Sequence, residues 1–462
     1  MLHIVIMKLD LVAHSSQADF FDTNTALPDI EADTGGYRVS YDPIPVGRST
    51  FRAGLSENVH SWFRLTPSFG PDLVRTIIKE LALHDGIHIH DPFSGAGTTA
   101  IEASLEGFEA SCLEINPFLH FVGKTCLQWD ILAKNGYEDL INIERQYKIE
   151  RENANLDNIE QLGVSIPTIH NIHRWWRSDV LKDLLVLKSC IRRNSSPEFT
   201  SFFELSLAAV LVPDLSNVTL GRLQLHFISK DQYEIDVWET FKKHTLKMLD
   251  DLHQLNNEKI STSGTIKLGD ATISKDFEDF SDIDAVITSP PYPNRYSYIW
   301  NTRPHLYMLD MISVAKEASD IDCKTIGGTW GAATSELGRG VYAPLNTAVL
   351  DALNGVHERI ALQDQLMANY VVHYFNRLAK HLAAISPKLK TNAKLAYVVG
   401  NSWIKGEYVA TDVILAKVFE GVLPGCKVDY LHRFRRRHSG KRLYETIVYA
   451  TYVDPMKETH QN

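Results

Sequence analysis

A glycine turn at residues 91–99, DPFSGAGTT, is the first segment whose residue types could do chemistry. It follows an apolar strand pattern, and Gly95 and Gly97 would let the backbone turn tightly and approach a ligand closely. The helix behind them would offer free N–H groups. A second strand pattern ends at Glu114, whose carboxylate could accept from ribose hydroxyls. The combination favours an adenosine-containing cofactor without phosphates, because the third glycine and a Walker lysine are missing. The alternative is a tight turn that binds nothing.

A second segment, TSPPY at residues 288–292, ends another buried strand pattern. Proline fixes φ, lacks an N–H group and restricts the residue before it. Two prolines therefore make a stiff turn whose carbonyl can point into a cavity. The alternative is a strand that prolines merely terminate, and the presence of the glycine turn in the same chain argues against it.

Together the two segments resemble the motifs of S-adenosylmethionine-dependent amino-methyltransferases that act on DNA. DPFSGAGTT resembles their cofactor motif, and TSPPY resembles their catalytic motif in the form most often seen in N4-cytosine enzymes. N6-adenine enzymes more often carry an acidic residue or asparagine where Ser289 stands. The resemblance covers roughly residues 56–124 and 262–452.

The resemblance implies a role for each matching residue. S-Adenosylmethionine would be bound by the glycine turn and by residues that follow three strands: Asp91, Phe93, Ser94, Gly95, Gly97, Thr98, Thr99, Glu114, Ile115, Asn116 and Asp270. Among these, Glu114 would hold the ribose, and Asp270 would lie near the adenine amino group. The segment Asn58–Phe63 would close over the methionine end. The catalytic residues would be Ser289, Pro290, Pro291 and Tyr292.

The implied reaction moves a methyl group from a sulfonium to the exocyclic amine of a base. That amine is a poor nucleophile because its lone pair is delocalised into the ring. Ser289 Oγ and the Pro290 carbonyl would accept its two hydrogens, while Tyr292 would stack on the base. Base flipping is implied, because the base must leave the duplex.

The composition is that of a globular protein, with 462 residues, 44% of them hydrophobic and 23% charged. The cysteines form no CxxC pair, and no apolar run approaches the roughly 18 residues of a membrane span. We expect a cytoplasmic protein without disulfides or a membrane partner. We predict no metal site at His84, His88 and His90, because nothing nearby completes a ligand set.

A basic cluster, HRFRRRHSGKR at residues 432–442, stands out against the net charge of −10. It is either a solvated loop or a patch that contacts DNA phosphates. The predicted DNA-binding residues are Arg295, behind the TSPPY segment, and five residues of the basic cluster: Arg433, Arg435, Arg436, Arg437 and Lys441. HRWWRSD at residues 173–179 either touches DNA or supplies core tryptophans to a helix interface.

A parallel sheet is needed to bring these segments together. Strand, glycine turn, helix 98–105 and strand 109–114 form a βαβ unit. The pattern predicts an α/β fold, a doubly wound, Rossmann-like methyltransferase sheet of about seven strands that binds ligands at the carboxyl ends of its strands. Its end would be an antiparallel hairpin closed by the basic cluster. The glycine-rich stretch at 320–345 predicts a mobile loop.

The predicted domain organisation has three parts. Residues 1–55 would form an N-terminal arm, and residues 56–124 with 262–455 the methyltransferase domain. Residues 125–261 alternate charged and amphipathic segments, which indicates a mainly helical insertion and a possible target-recognition region. Recognition could instead lie in the glycine-rich stretch 320–345, or in both regions.

The leading hypothesis is a site-specific DNA methyltransferase, with N4 of cytosine before N6 of adenine and double-stranded DNA as partner. A cognate restriction endonuclease or defence-system partner would accompany it. RNA base methyltransferases more often carry an acidic residue before the prolines, and protein-glutamine methyltransferases an asparagine. The non-enzyme alternative is a nucleic-acid-binding protein on an inactive scaffold, which the intact Gly95, Gly97, Ser289 and Tyr292 argue against.

Overall fold

The computed structural model describes most of the chain, namely residues 33–42, 44, 53–65, 68–221, 224–259, 263–328, 332–340, 346–438 and 442–454. Within these ranges no helix is both long and apolar enough to cross a membrane.

The strands, in chain order, are β1 (Val39–Ser40), β2 (His88–Asp91), β3 (Glu109–Glu114), β4 (Val218–Leu220), β5 (Leu225–Phe227), β6 (Gly264–Leu268), β7 (Ile283–Thr288), β8 (Leu389–Gly400), β9 (Ser402–Ile404), β10 (Glu407–Val409), β11 (Cys426–His438) and β12 (Arg442–Tyr452). In the part of the chain that the structure describes, eight of them form the main sheet, in the order β1-β11-β12-β8-β7-β2-β3-β6. Strands β6, β3, β2, β7 and β8 run parallel to one another, and β12 runs antiparallel between β8 and β11.

This strand order confirms the predicted α/β fold and its antiparallel terminal hairpin. The order reverses at β2, because β3 and β6 lie on one side of it and β7 and β8 on the other. The eighth strand, β1, comes from the N-terminal region and pairs in parallel with β11. The central strands are covered on both faces, so the apolar run Ala285–Ile287 of β7 is wholly buried.

The helices are α1 (Pro71–Glu80), α2 (Thr98–Leu105), α3 (Pro117–Cys126), α4 (Ala133–Asn153), α5 (Ile172–Trp175), α6 (Ser178–Asn194), α7 (Pro197–Leu211), α8 (Val237–Glu258), α9 (Tyr298–Met308), α10 (Ala315–Lys324), α11 (Ala332–Gly338), α12 (Thr347–Leu353), α13 (Val356–Ala361), α14 (Gln365–Ile385) and α15 (Thr411–Val422). Helix α1 begins at Pro71, where a missing N–H costs nothing, and α2 spans 98–105, as predicted.

The segment predicted as a helical insertion does contain α4 to α8, together with the small hairpin β4–β5. The apolar faces of these helices do not form a separate core. Leu184 and Phe203 of the insertion belong to the same buried cluster as Ile89 and Ala285 of the sheet. The helices therefore share a core with one face of the sheet, and the division into separate domains stays a prediction.

The prediction of a mobile loop at 320–345 is wrong at residues 320–324 and 332–338, where the structure has helices. Helix α10 covers its start and α11 follows, while residues 329–331 and 341–345 lie outside the described residues. Ala318 and Asp322 bury one face of α10, and Ala333 and Leu337 bury one face of α11. Buried residues at this four-residue spacing let one face of each helix pack against the rest of the protein. This packing outweighs the low helix propensity of the glycines between and behind the helices.

Candidate active site at the carboxyl ends of the strands

The two predicted motifs meet at one edge of the sheet. Asp91 ends β2 and leads into the glycine turn, whereas Thr288 ends β7 directly before Ser289. Strands β2 and β7 are parallel neighbours, with Ile89 opposite Ala285. Because the carboxyl ends of parallel neighbours lie at the same edge, the glycine turn and the TSPPY segment lie side by side.

The glycine turn needs its two glycines for conformation and for space. Gly95 and Gly97 have φ of 55° and 90°, in the left-handed region. A Cβ on Gly97 would lie 3.3 Å from Gly123 Cα and from Ile266 Cδ1, so the turn packs closely on α3 and β6. A Cβ on Gly95 would lie 3.3 Å from Leu65 Cδ2. Leu65, just behind the segment Asn58–Phe63, therefore lies against the turn, and the role of that segment as a cover stays a prediction.

Three hydroxyl-bearing residues of this turn are buried within it: Ser94, Thr98 and Thr99. Thr99 Oγ1 donates to the Ile287 carbonyl at 3.3 Å. This hydrogen bond ties the start of α2 to β7, so the helix behind the glycine turn is fixed relative to the TSPPY segment.

Glu114 is a buried carboxylate held by backbone N–H groups. Its Oε2 accepts from Gly95 N–H at 2.7 Å, and its Oε1 accepts from Asn116 N–H at 2.8 Å. Burial raises the pKa of Glu114 to about 7, although these two hydrogen bonds act to lower it. Between them, Ile115 is half-buried. Asn116 caps α3 by accepting from Phe118 N–H, and donates to Thr302 of α9 at 2.9 Å.

Asp91 is fully buried and only partly satisfied. Its Oδ1 accepts from the Phe93 N–H at 2.9 Å and from the Thr288 hydroxyl. Its Oδ2 is buried and has no hydrogen-bond partner among the described residues. Burial raises the pKa of Asp91 to about 6. A buried acceptor without a donor is costly, so this oxygen fits a donor group supplied by a ligand.

Asp270, two residues beyond the end of β6, is already engaged by other residues of the chain. Its Oδ1 accepts from the N–H and hydroxyl of Thr272, at 2.8 and 2.7 Å. Its Oδ2 forms an ion pair with Arg377 Nη2 at 3.3 Å. Arg377 comes from α14, a contact that the sequence did not predict. The contact with adenine predicted for Asp270 stays a prediction.

The TSPPY turn is held from two sides. Ser289 Oγ donates to the Val398 carbonyl of β8 at 3.2 Å. The carbonyl of Pro291 accepts from the Tyr374 hydroxyl of α14 at 2.8 Å. The Tyr292 ring lies on Gly400, where a Cβ would stand only 2.7 Å from Cδ2 of the ring. The end of β8 and one face of α14 therefore set the position of this turn.

The chain behind the turn is also anchored. Arg295 is exposed, has φ of 60°, and donates its N–H to the Tyr370 hydroxyl at 3.3 Å. Tyr370 and Tyr374 lie one turn apart on α14. Ser297 caps α9 and donates to buried Asp322 at 2.5 Å. The sequence did not single out these two tyrosines, because aromatic residues at helical spacing look like ordinary core residues.

The prediction that Arg433 contacts DNA is wrong for this structure. Its Nε donates to Asp412 Oδ2 at 2.9 Å, and both side chains have an exposed fraction of 0%. Thr446 donates to the same carboxylate oxygen. The guanidinium carbon lies 5.5 Å from the Tyr444 ring centroid. Arg433 is therefore neutralised inside the fold and presents no charge to a phosphate.

The rest of the basic cluster lies mostly in a strand and not in a loop. Strand β11 extends to His438, and Arg435, Arg436 and Arg437 pair with residues of β12. Lys441 lies outside the described residues. DNA contacts by these four residues stay predictions.

One group in the described part of the chain has metal-ligand spacing. Atoms of Glu57, His60 and Glu102 lie within 4.8 Å of one another. Arg75 already bridges both carboxylates, at 3.0 Å from Glu57 and 2.8 Å from Glu102. His60 Nε2 lies 2.6 Å from Glu102. These ion pairs fix the segment before α1 onto α2, and a metal ion would have to displace Arg75.

Comparison with known proteins places the chain beside methyltransferases. No family model matches it. Type II methyltransferase M.MvaI of Kocuria varians is 24% identical over 374 residues, 77% of this chain and 78% of that protein. M.BsoBI of Geobacillus stearothermophilus is 22% identical over 441 residues, 84% and 82% of the two chains. M.AvaI of Nostoc sp. is 24% identical over 404 residues, 81% and 80%. These similarities confirm the resemblance to DNA methyltransferases, and with it S-adenosylmethionine as methyl donor.

Two solved structures also match. TrmN from Thermus thermophilus has a TM-score of 0.30 at 8% identity, covering 88% of this chain and 53% of its own. The rRNA methyltransferase aviRa from Streptomyces viridochromogenes has a TM-score of 0.30 at 11% identity, covering 86% and 92%. At these scores the assignment of the fold rests on the strand order alone.

Proposed function

We propose that this chain is a site-specific DNA methyltransferase that methylates the exocyclic amine of a flipped base, with N4 of cytosine before N6 of adenine. The observation that carries the proposal is the hydrogen bond from Ser289 Oγ to the Val398 carbonyl. A hydroxyl has one hydrogen and two lone pairs. Because β8 takes the hydrogen, Ser289 is left as an acceptor for a donor in the site, which is what a base amine requires.

The second acceptor would be the Pro290 carbonyl. The next carbonyl along the chain, that of Pro291, is committed to the Tyr374 hydroxyl. The Pro290 carbonyl is therefore the backbone acceptor that we propose for the base amine, and proline keeps the turn rigid.

The amine needs no strong base in this scheme. Ser289 and Pro290 would accept hydrogen bonds from the two hydrogens of the amine, which frees the nitrogen lone pair. This lone pair would form the new N–C bond, and the electrons of the broken S–C bond would stay on the sulfur of the donor. The product nitrogen is briefly cationic and acidic, and it loses one hydrogen as a proton to solvent. Tyr292, fixed on Gly400, would stack on the base and hold the amine at attack distance.

The residues around the glycine turn fit the cofactor. S-Adenosylmethionine supplies the electrophilic methyl group. Asp91 Oδ2 is buried without a partner and would accept from the cofactor's ammonium group. Glu114 would accept from the ribose hydroxyls, as the resemblance implies. Both carboxyls must be ionised to do so, and both titrate close to neutrality.

Cytosine is placed before adenine because of Ser289, the residue type that the resemblance associates with N4-cytosine enzymes. N6 of adenine is the alternative, since both amines offer two hydrogens to the same pair of acceptors. We further propose that residues 125–261 read the target sequence and that residues 56–124 and 262–455 form the catalytic domain. A cognate restriction endonuclease is the proposed partner, in keeping with the Type II relatives.

The test is single-molecule sequencing of plasmid DNA from a methylation-free host that expresses the protein. We expect one modified motif with the wild type and with Ser281→Ala, whose exposed serine lies before β7 at the opposite end of the sheet. We expect none with Ser289→Ala or Tyr292→Ala, and partial modification with Tyr292→Phe, which keeps the ring. Unmodified DNA from a wild-type protein that binds S-adenosylmethionine in calorimetry would contradict the proposal and point to RNA as substrate.

A further inference from the structure

A continuous stack of aromatic rings and guanidinium groups joins the helical insertion to α9. Arg174 Cζ lies 3.9 Å from the centroid of the Phe227 ring, and Phe227 meets Trp175 edge to face at 4.8 Å. Arg303 Cζ lies 4.9 Å from the Trp175 ring and 4.7 Å from the Trp300 ring. The stack runs from Arg174 to Trp300. It connects α5 and β5 to α9, the helix that follows the TSPPY turn.

Neither guanidinium of this stack has a carboxylate partner among the described residues. Neighbouring arginines of the insertion do, at 2.5 to 2.7 Å, and they pair as follows: Arg177 with Asp179, Arg192 with Asp310, and Arg193 with Glu150. Arg303 Nε is buried and lacks a hydrogen-bond partner in the same part of the chain, as does Trp300 Nε1. In a chain of net charge −10, two unpaired arginines on one stack call for an explanation.

The environment of Arg303 shows that its charge is not compensated from within. Burial lowers the pKa of this guanidinium, and its strongest charged neighbour is the Tyr307 hydroxyl. Burying a cation without an anion costs free energy that the two indole rings offset only in part. An external anion would remove that cost. Trp175 and Trp300 meanwhile restrict the side chain, which lowers the entropy lost when the guanidinium binds.

We propose that the guanidinium groups of Arg174 and Arg303, held by the rings of Phe227, buried Trp175 and Trp300, bind the phosphodiester backbone of double-stranded DNA next to the active site. This inference rests on the proposed function. A planar guanidinium binds a phosphate through two parallel hydrogen bonds. Helix α9 begins at Tyr298, directly behind the catalytic turn, and Arg303 lies only about 7.5 Å further along the helix axis. The insertion would thus grip the backbone beside the flipped base.

The competing explanation is a purely structural clasp, in which the stack only holds α9 against the insertion. The two explanations differ in what removal of a charge changes. A clasp contributes to stability alone. A phosphate contact releases counterions, so its loss reduces the slope of log Kd against log salt concentration by about 0.9 for duplex DNA.

The experiment is fluorescence anisotropy of a labelled duplex with the full chain, from about 50 to about 200 mM salt. The variants are Arg174→Gln, Arg303→Gln and the double variant, with Arg193→Gln as a matched control that removes a paired arginine of the same insertion. We expect each of the first two to lower the slope by about 0.9 and to weaken binding about eightfold at about 0.1 M salt. The double variant should lose about twice the slope, and the control none.

An unchanged slope in folded Arg174→Gln and Arg303→Gln proteins would overturn the proposal and leave the clasp. If Arg303→Gln does not fold, exposed Arg174 decides the question, because its truncation leaves the core untouched. The measurement needs no methyl transfer. A wild type that methylates DNA but whose variants keep the full slope refutes this phosphate contact alone. A wild type that methylates no DNA refutes the proposed function, whatever the slopes are.

Discussion

Replacing Gly400 by alanine tests whether the position of the Tyr292 ring limits the reaction. A Cβ at this position would lie 2.7 Å from Cδ2 and 2.8 Å from Cε2 of the ring. Non-bonded carbon atoms come to rest at about 3.5 to 4.0 Å, so the ring must move by about 1 Å. Gly400 is not among the residues with positive φ, and alanine therefore brings no backbone strain. A displacement of this size at a reacting centre costs up to about 100-fold in rate.

The assay is single-turnover transfer of a labelled methyl group to duplex DNA that carries the motif found by sequencing. We expect Gly400→Ala to lower the rate by about 10- to 100-fold and to leave the Kd for S-adenosylmethionine unchanged. Gly338→Ala is the matched control, because its Cβ would meet nothing closer than Leu366 Cδ1 at 3.7 Å. Full activity of Gly400→Ala would refute the reasoning. Equal losses of cofactor affinity and rate would refute it too, because the added alanine methyl group would then disturb cofactor binding and not only the Tyr292 ring.

Three further predictions concern the groups around the site. Tyr374→Phe removes the 2.8 Å hydrogen bond to the TSPPY turn, and a net loss of about 1 kcal/mol predicts a rate about fivefold lower with unchanged cofactor Kd; an unchanged rate would show that the turn needs no such support. The pKa of Glu114 is raised by burial to about 7, so protonation at lower pH removes the acceptor; calorimetry should give a cofactor Kd about tenfold higher at pH 6 than at pH 8, and a flat profile would exclude a carboxylate role. Arg433→Met leaves Asp412 buried and unpaired; urea unfolding should show a loss of about 3 to 5 kcal/mol while the salt slope of DNA binding stays unchanged, and a reduced slope would restore Arg433 as a phosphate contact.

The parts of the fold that the sequence predicted depend on local signals. Helix α2 starts and ends where the glycine turn and the apolar spacing place it, and β3 ends at Glu114. Continuous apolar runs bounded by Gly, Pro or acidic residues are enough to predict buried parallel strands. The doubly wound parallel sheet could then be predicted because parallel strands need right-handed crossovers and because the two motifs need one common edge.

The errors and omissions come from contacts between residues far apart in the chain. Arg433 meets Asp412 across 21 positions, and Tyr374 meets Pro291 across 83. A run of arginines looks the same in a sequence whether it faces solvent or an internal aspartate. The glycine-rich stretch was misjudged for a similar reason, since burial of Asp322 and Leu337 against distant elements decides that α10 and α11 form.

Two of the places where the described structure leaves buried polar groups unsatisfied are complementary in chemistry. Asp91 Oδ2 is an acceptor without a donor at the end of β2, and Arg303 is a donor without an acceptor on α9. Buried polar atoms of this kind cost free energy in the unliganded fold, so a ligand that satisfies them gains affinity that the protein alone cannot provide. The ammonium group of a cofactor would donate to Asp91, and a phosphodiester would accept from Arg303. The end of β2 would therefore bind the cofactor, and the start of α9 would bind DNA.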